Sequence, residues 1–145
     1  MRALLATLVA GAVLIWLAVL SCYDIRQRRL PNLLTLPGAV AILVAAVLAG
    51  RGLPALAGSA ALTGIYLLVH LMAPPAMGAG DVKLAIGLGG LAGCFGAEVW
   101  FLAALAAPLL TALWGVVGLL RGVRAVPHGP AMCLATAGAV SLAIL

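Results

Sequence analysis

The feature that most constrains this chain is its rhythm: six long apolar runs separated by short polar intervals. The runs are Ala3 to Cys22, Leu33 to Gly50, Leu53 to Ala73, Val82 to Phe95, Val99 to Leu120 and His128 to Leu145. Most measure about 18 to 22 residues, which as helix spans a hydrocarbon core of about 30 Å. Isolated strands or loops would leave backbone N–H and C=O groups without partners in lipid, so each run is expected to be a helix. Composition agrees: 66% of residues are hydrophobic and 8% charged, against about 45–50% and about 25% in soluble domains. The expected fold is therefore all-α, a polytopic membrane helix bundle of about six transmembrane helices. The fourth run, about 14 residues, is too short to span alone and should start below the lipid surface, sheltered by its neighbours. Met1-Arg2 and the first run look superficially like a signal peptide. The length of that run, the lack of a small-residue cleavage pattern and the spans behind it favour a retained helix.

The intervals supply turn chemistry and orientation. Pro31-Asn32 breaks the first interval, with Asn32 expected to cap the second helix, and Pro74-Pro75 ends the third. Gly50-Arg51-Gly52 and Gly96-Ala97-Glu98 read as tight turns. No repeat, linker or low-complexity segment interrupts the chain, which points to one membrane-embedded domain over residues 1–145. The first, third and fifth intervals carry Arg26, Arg28, Arg29, Lys83, Arg121 and Arg124, against Arg2 and Arg51 on the other side. Cytoplasmic loops collect Lys and Arg, so those three intervals are expected in the cytoplasm and both termini on the non-cytoplasmic side. The net charge of +5 is thereby explained by topology, and a nucleic-acid partner is not expected.

The chain has only three acidic residues. Charge counting puts Asp24 and Asp81 on the same face, together with Val126-Pro127-His128-Gly129-Pro130, and sends Glu98 to the other. Ionisable groups at a bilayer are costly and are usually kept there by function. Asp24 follows the first apolar run beside Arg26, Arg28 and Arg29, cations that favour its ionised form. Asp81 follows Gly78-Ala79-Gly80, whose glycines permit unusual backbone and close approach, and it opens the fourth helix, where the dipole favours negative charge. Structural readings stand beside these: Asp81 as an N-cap, Asp24 as a partner of Arg26 or Arg28. The joint placement of two acids on one face favours chemistry.

Two segments carry a resemblance. Asp24 to Asn32, read as D-x-R-x-x-x-L-P-N, and Gly78 to Leu84, read as G-x-G-D-x-K-L, resemble the two signatures of type IV prepilin peptidases, membrane aspartic proteases of the GxGD type. Their order, with two apolar spans between them, is specific. Val126 to Pro130 is similar to the family's late Pro-Phe-Gly-Pro segment. The resemblance implies that Asp24 and Asp81 are the catalytic pair, and that Gly78, Gly80, Lys83, Pro31 and Asn32 support the active-site loops or substrate. It implies removal of a short basic leader from prepilins at the cytoplasmic edge of the cell membrane, with no cofactor and no metal. The expected partners are the prepilin's leader and hydrophobic N-terminal helix, the lipid bilayer and other pilus-assembly proteins. Longer relatives carry paired Cys-x-x-Cys motifs and methylate the new N-terminus. Here Cys22, Cys94 and Cys133 are isolated, so peptidase without N-methyltransferase activity is expected, in the short form of tight-adherence (Flp) pilus systems.

His128 stands where the family commonly has Phe. It reads as an interfacial residue beside the arginine loop, the alternative being a group that tunes the pair's protonation. His70 reads as a hydrogen-bonded bundle residue rather than a ligand, since no second His or Cys has metal spacing with it. Lys83 either serves Asp81 or substrate, or snorkels to the interface. Gly89 and Gly93 suggest close helix packing. Trp16, Trp100 and Trp114 read as packing or interface anchors and the cysteines as small apolar fillers. Two other functions fit the composition: a proton- or cation-coupled transport subunit and a non-catalytic pilus-assembly scaffold. Transport is disfavoured because no acid lies midway across the membrane to continue a relay.

Overall fold

The computed structural model describes all 145 residues. It contains six helices: α1 (Arg2–Gln27), α2 (Asn32–Leu48), α3 (Gly52–Met72), α4 (Ala79–Cys94), α5 (Ala97–Leu120) and α6 (Gly129–Ile144). Every apolar run is a helix, as lipid requires. α1, α3 and α5 are long and apolar enough to cross a membrane. α2 and α6, at 17 and 16 residues, are shorter than their apolar runs suggest. α2 stops at Leu48 because the chain turns at Ala49 and Gly50, with Gly50 at φ 74°. α6 begins only at Gly129, with Pro130 in its first turn, where a missing N–H costs nothing.

Helix ends correct three further expectations. α1 continues past Cys22 to Gln27, so Asp24 sits in its last turn, and Arg28 at φ 50° ends it by donating its N–H to the Asp24 carbonyl at 2.9 Å. Asn32 is not a cap: Pro31 holds that position in extended backbone and its carbonyl accepts the N–H groups of Leu34 and Thr35. Ala97 and Glu98 belong to the first turn of α5, leaving the turn to Phe95 and Gly96, which has φ 112°.

α4 is the centre of the bundle and packs against α2, α3, α5 and α6. Its 16 residues rise about 24 Å, and the surrounding helices shelter it as its shortness requires. The tightest seam is α3 on α4. A side chain at Gly58 would place its Cβ 2.5 Å from the Gly89 carbonyl, and one at Gly89 would lie 2.6 Å from the Gly58 carbonyl. Small residues thus let two backbones touch, the packing that lipid favours over apolar side-chain burial. Trp100 closes this seam by donating its indole N–H to the Gly58 carbonyl at 2.9 Å. On the other side Trp16 donates to the Leu34 carbonyl at 2.8 Å and lays its ring over Gly38 and Gly87.

Only 31 of the 145 residues are buried, and Leu, Val and Ile are exposed around the bundle. A surface so apolar faces lipid. The molecule is a polytopic membrane helix bundle. Cys133 is buried as expected of a filler, whereas Cys22 is exposed on α1.

Candidate active site

Three polar intervals meet at one end of the bundle. Arg28, just past α1, donates through Nη2 to the Ala125 carbonyl between α5 and α6, at 2.8 Å. Lys83 of α4 donates to Asn32 Oδ1 at the start of α2, also at 2.8 Å. The intervals that alternation of the spans grouped together thus lie at one end.

Asp24 is buried, and its Oδ2 accepts the Gly129 N–H at 2.9 Å. That approach needs a glycine, because a Cβ on Gly129 would collide with Asp24 Oδ2. Asp81 lies in the first turn of α4; Gly78, not Asp81, is the N-cap residue. Neither Gly78 nor Gly80 has a positive φ, which corrects the expectation of an unusual backbone. Gly80 nevertheless matters for proximity: a Cβ there would sit 3.2 Å from Leu30 Cβ. Gly80 therefore lets the loop before Asp81 lie against the loop after Asp24.

The backbones of α1 and α4 do not pack directly on one another. Between them opens a cleft of about 560 Å³ lined by both carboxylates, by residues from Arg28 to Asn32, by Gly78 to Gly80 and by Lys83. Asp81 sits before the apolar part of α4. Burial, then the charge of Asp24, pushes its pKa up to about 6, against the lowering effect of the Gly78 N–H. Asp81 therefore keeps its proton to higher pH than an ordinary carboxyl group, chiefly because it is buried.

The supporting residues have narrower positions than the sequence suggested. Lys83 spends its ammonium on Asn32, so both residues tie α2 to α4 at the rim of the cleft. Pro31 shapes the start of α2. His70 Nδ1 pairs with the Met77 carbonyl at 2.6 Å, a hydrogen-bonded bundle residue that fixes the loop before Gly78. His128 is not an interfacial side chain. Its Nε2 pairs with Tyr66 Oη at 3.0 Å and its Nδ1 with Thr111 Oγ1.

Gly129, Tyr66 and Thr111 escaped sequence reasoning. Gly129 stood within a segment singled out for its Gly-Pro pattern, yet its role requires knowing that α6 begins beside Asp24. Tyr66 and Thr111 sit mid-helix in apolar runs, where a lone hydroxyl gives no signal of what it faces.

A membrane helix bundle that holds two carboxylates in one polar cleft defines a class of intramembrane proteins equipped for acid–base chemistry. Residues 11–123 match the type IV leader peptidase family, and the chain belongs to that family. The matched stretch contains both aspartates and ends before His128. No curated protein and no solved structure matches the chain. The protein is a membrane peptidase of the type IV leader peptidase family.

Proposed function

We propose that the protein is an aspartic endopeptidase that removes the short basic leader of type IV prepilins, of the tight-adherence (Flp) type, at the cytoplasmic face of the cell membrane. The observation that carries this reading is the shared cleft: Asp24 and Asp81 line it together, one fixed by a backbone N–H, the other held toward its protonated form. Asp24, accepting from Gly129, is the carboxylate that takes a proton from water. Asp81 keeps its proton and donates a hydrogen bond to the scissile carbonyl.

The water oxygen then bonds to the carbonyl carbon while its proton passes to Asp24 and the Asp81 proton passes to the carbonyl oxygen. Collapse of this diol breaks the C–N bond, with the Asp24 proton going to the leaving nitrogen and a diol proton returning to Asp81. Both carboxyls end as they began. The scissile bond sits at the polar end of the bundle, and the pilin's hydrophobic helix remains in the bilayer. The scattered cysteines support peptidase activity without N-methylation. Single-domain organisation over 1–145 and contact with other pilus-assembly proteins belong to the same reading.

The test is cleavage of a co-expressed Flp-type prepilin, followed by the precursor-to-mature size shift. Asp24→Asn and Asp81→Asn should each leave the precursor uncut at wild-type membrane levels, while Glu98→Gln processes it. Normal processing by either aspartate variant would remove that residue from the chemistry.

A further inference from the structure

The mechanism above leaves unused a half-buried histidine next in the chain to the Asp24 donor Gly129, His128. Its two nitrogens meet hydroxyls from two helices, Tyr66 on α3 and Thr111 on α5. The proton positions follow from the donor count. Thr111 has a single hydroxyl hydrogen, and this goes to the Ala107 carbonyl at 3.0 Å. Thr111 Oγ1 is therefore the acceptor toward the ring, His128 Nδ1 carries the N–H, and the bare Nε2 accepts the Tyr66 O–H. The chain Tyr66 to His128 to Thr111 to Ala107 uses each hydrogen once and holds the imidazole in its neutral Nδ1–H form.

The next peptide unit explains why this anchoring matters. The His128 carbonyl accepts the Met132 N–H at 3.1 Å, and the N–H at the other end of the same peptide plane, that of Gly129, points to Asp24 Oδ2 at 2.9 Å. A planar peptide is rigid, so the direction of that N–H is set by the Met132 bond and by wherever the His128 Cα is held. The ring holds it, between α3 and α5.

We propose that His128 is a positioning residue: its imidazole, bridged between Tyr66 and Thr111, aims the Gly129 N–H at Asp24 and so fixes the orientation and ionisation of that carboxylate. The inference rests on the reading of Asp24 as the catalytic base. The charged and titratable groups around Asp24 are Asp81 on α4, Arg28 beyond the end of α1 and Cys133 on α6, with Tyr66 on α3 beside Asp81.

The experiment is steady-state cleavage of a purified Flp-type prepilin precursor by the purified enzyme in lipid nanodiscs, across pH. The variants are His128→Ala, His128→Asn, Tyr66→Phe, Thr111→Val and the His128→Ala/Thr111→Val double. His128→Ala should lower kcat about tenfold to a hundredfold with KM within about twofold, the size expected when a hydrogen bond to a charged group worth about 1.5–3 kcal/mol is lost. It should also move the acid limb of the kcat profile to higher pH, because Asp24 without its donor ionises less readily. His128→Asn, whose amide replaces the Nδ1 donor, should recover part of kcat and of the acid limb. Thr111→Val should shift the profile in the same direction, and the double variant should be no worse than His128→Ala. An unchanged acid limb in His128→Ala, or additive losses in the double, would reduce His128 to a packing residue and overturn the inference. Asp24→Asn run in parallel separates the two layers: cleavage by that variant defeats the catalytic reading, whereas its inactivity beside a normal His128→Ala defeats only the positioning role.

Discussion

The two ends of this bundle are held together in opposite ways. At the end away from the cleft, α3 and α4 meet backbone to backbone through Gly58, Gly89 and Gly93, with side-chain links only to backbone carbonyls, Arg51 to Cys94 at 2.8 Å and Trp100 to Gly58 at 2.9 Å. At the cleft end the helices diverge, and side-chain hydrogen bonds span the gap: Arg28 to Ala125, Lys83 to Asn32, Tyr66 to His128 and His128 to Thr111. The first end is closed along its seam by direct backbone contact, whereas the second opens into a polar cleft. A membrane enzyme that hydrolyses a bond needs both, because backbone contact in lipid supplies rigidity without a hydrophobic driving force, while carboxylates need polar partners and an aqueous approach.

The carboxylates at the cleft end carry the largest expected effect. Asp24→Asn or Asp81→Asn should cut the cleavage rate by about 10²- to 10⁴-fold, the range for loss of a general acid or base, with the fold intact by circular dichroism. Glu98→Gln, at the glycine-packed end, should process normally. Next in size is Gly129→Ala, which pushes a methyl group into Asp24 and should lower kcat about tenfold to a hundredfold, consistent with the loss of a charge-assisted hydrogen bond. An undiminished kcat would show that the Gly129 donor is not needed.

The pH profile sharpens the same end. The Asp81 pKa is raised to about 6, so the protonated form needed for catalysis persists from the acid side up to that value and is lost above it. Activity measured as kcat/KM should therefore fall with rising pH, tending to tenfold per unit beyond the dyad's apparent pKa. A flat profile from pH 6 to 9 would detach Asp81 from the acid role.

The glycine seam responds in stability instead. Gly89→Val forces side-chain atoms against the Gly58 carbonyl and the Leu62 side chain and should cost about 1–3 kcal/mol, seen as a lower thermal midpoint in detergent. The smallest effect belongs to Arg51→Gln, which removes one exposed hydrogen bond and should change stability by under about 0.5 kcal/mol with cleavage unaltered.

Much of this was legible in the chain, for reasons that differ by residue. The six helices follow from apolar length, since in lipid a backbone has few other ways to satisfy itself. Asp24 and Asp81 stand out because so few acids are present and both flank intervals on the side that collects most of the Arg and Lys. The grouping of three loops at one end follows from alternation of the spans. Asn32 misled because Asn before a helix so often caps it; here Pro31 took the cap and Lys83 claimed the amide. His128 misled because a histidine beside an arginine loop resembles a surface residue. Its partners come from α3 and α5, remote in sequence and silent in any local pattern.

Hydropathy and charge along the chain are enough to place this protein in a membrane as a helix bundle, to put its polar loops at one end, and to put two aspartates there. Those properties depend on hydrophobicity summed along each run and on charge counted loop by loop, which neighbours in the chain decide. Tertiary packing alone shows that Gly129 donates to Asp24, that Gly80 brings the two aspartate segments together over Leu30, and that His128 sits between the hydroxyls of Tyr66 and Thr111. Such contacts depend on helix rotation and depth, which the close approach of α3 and α4 at their glycines sets and which local composition does not encode.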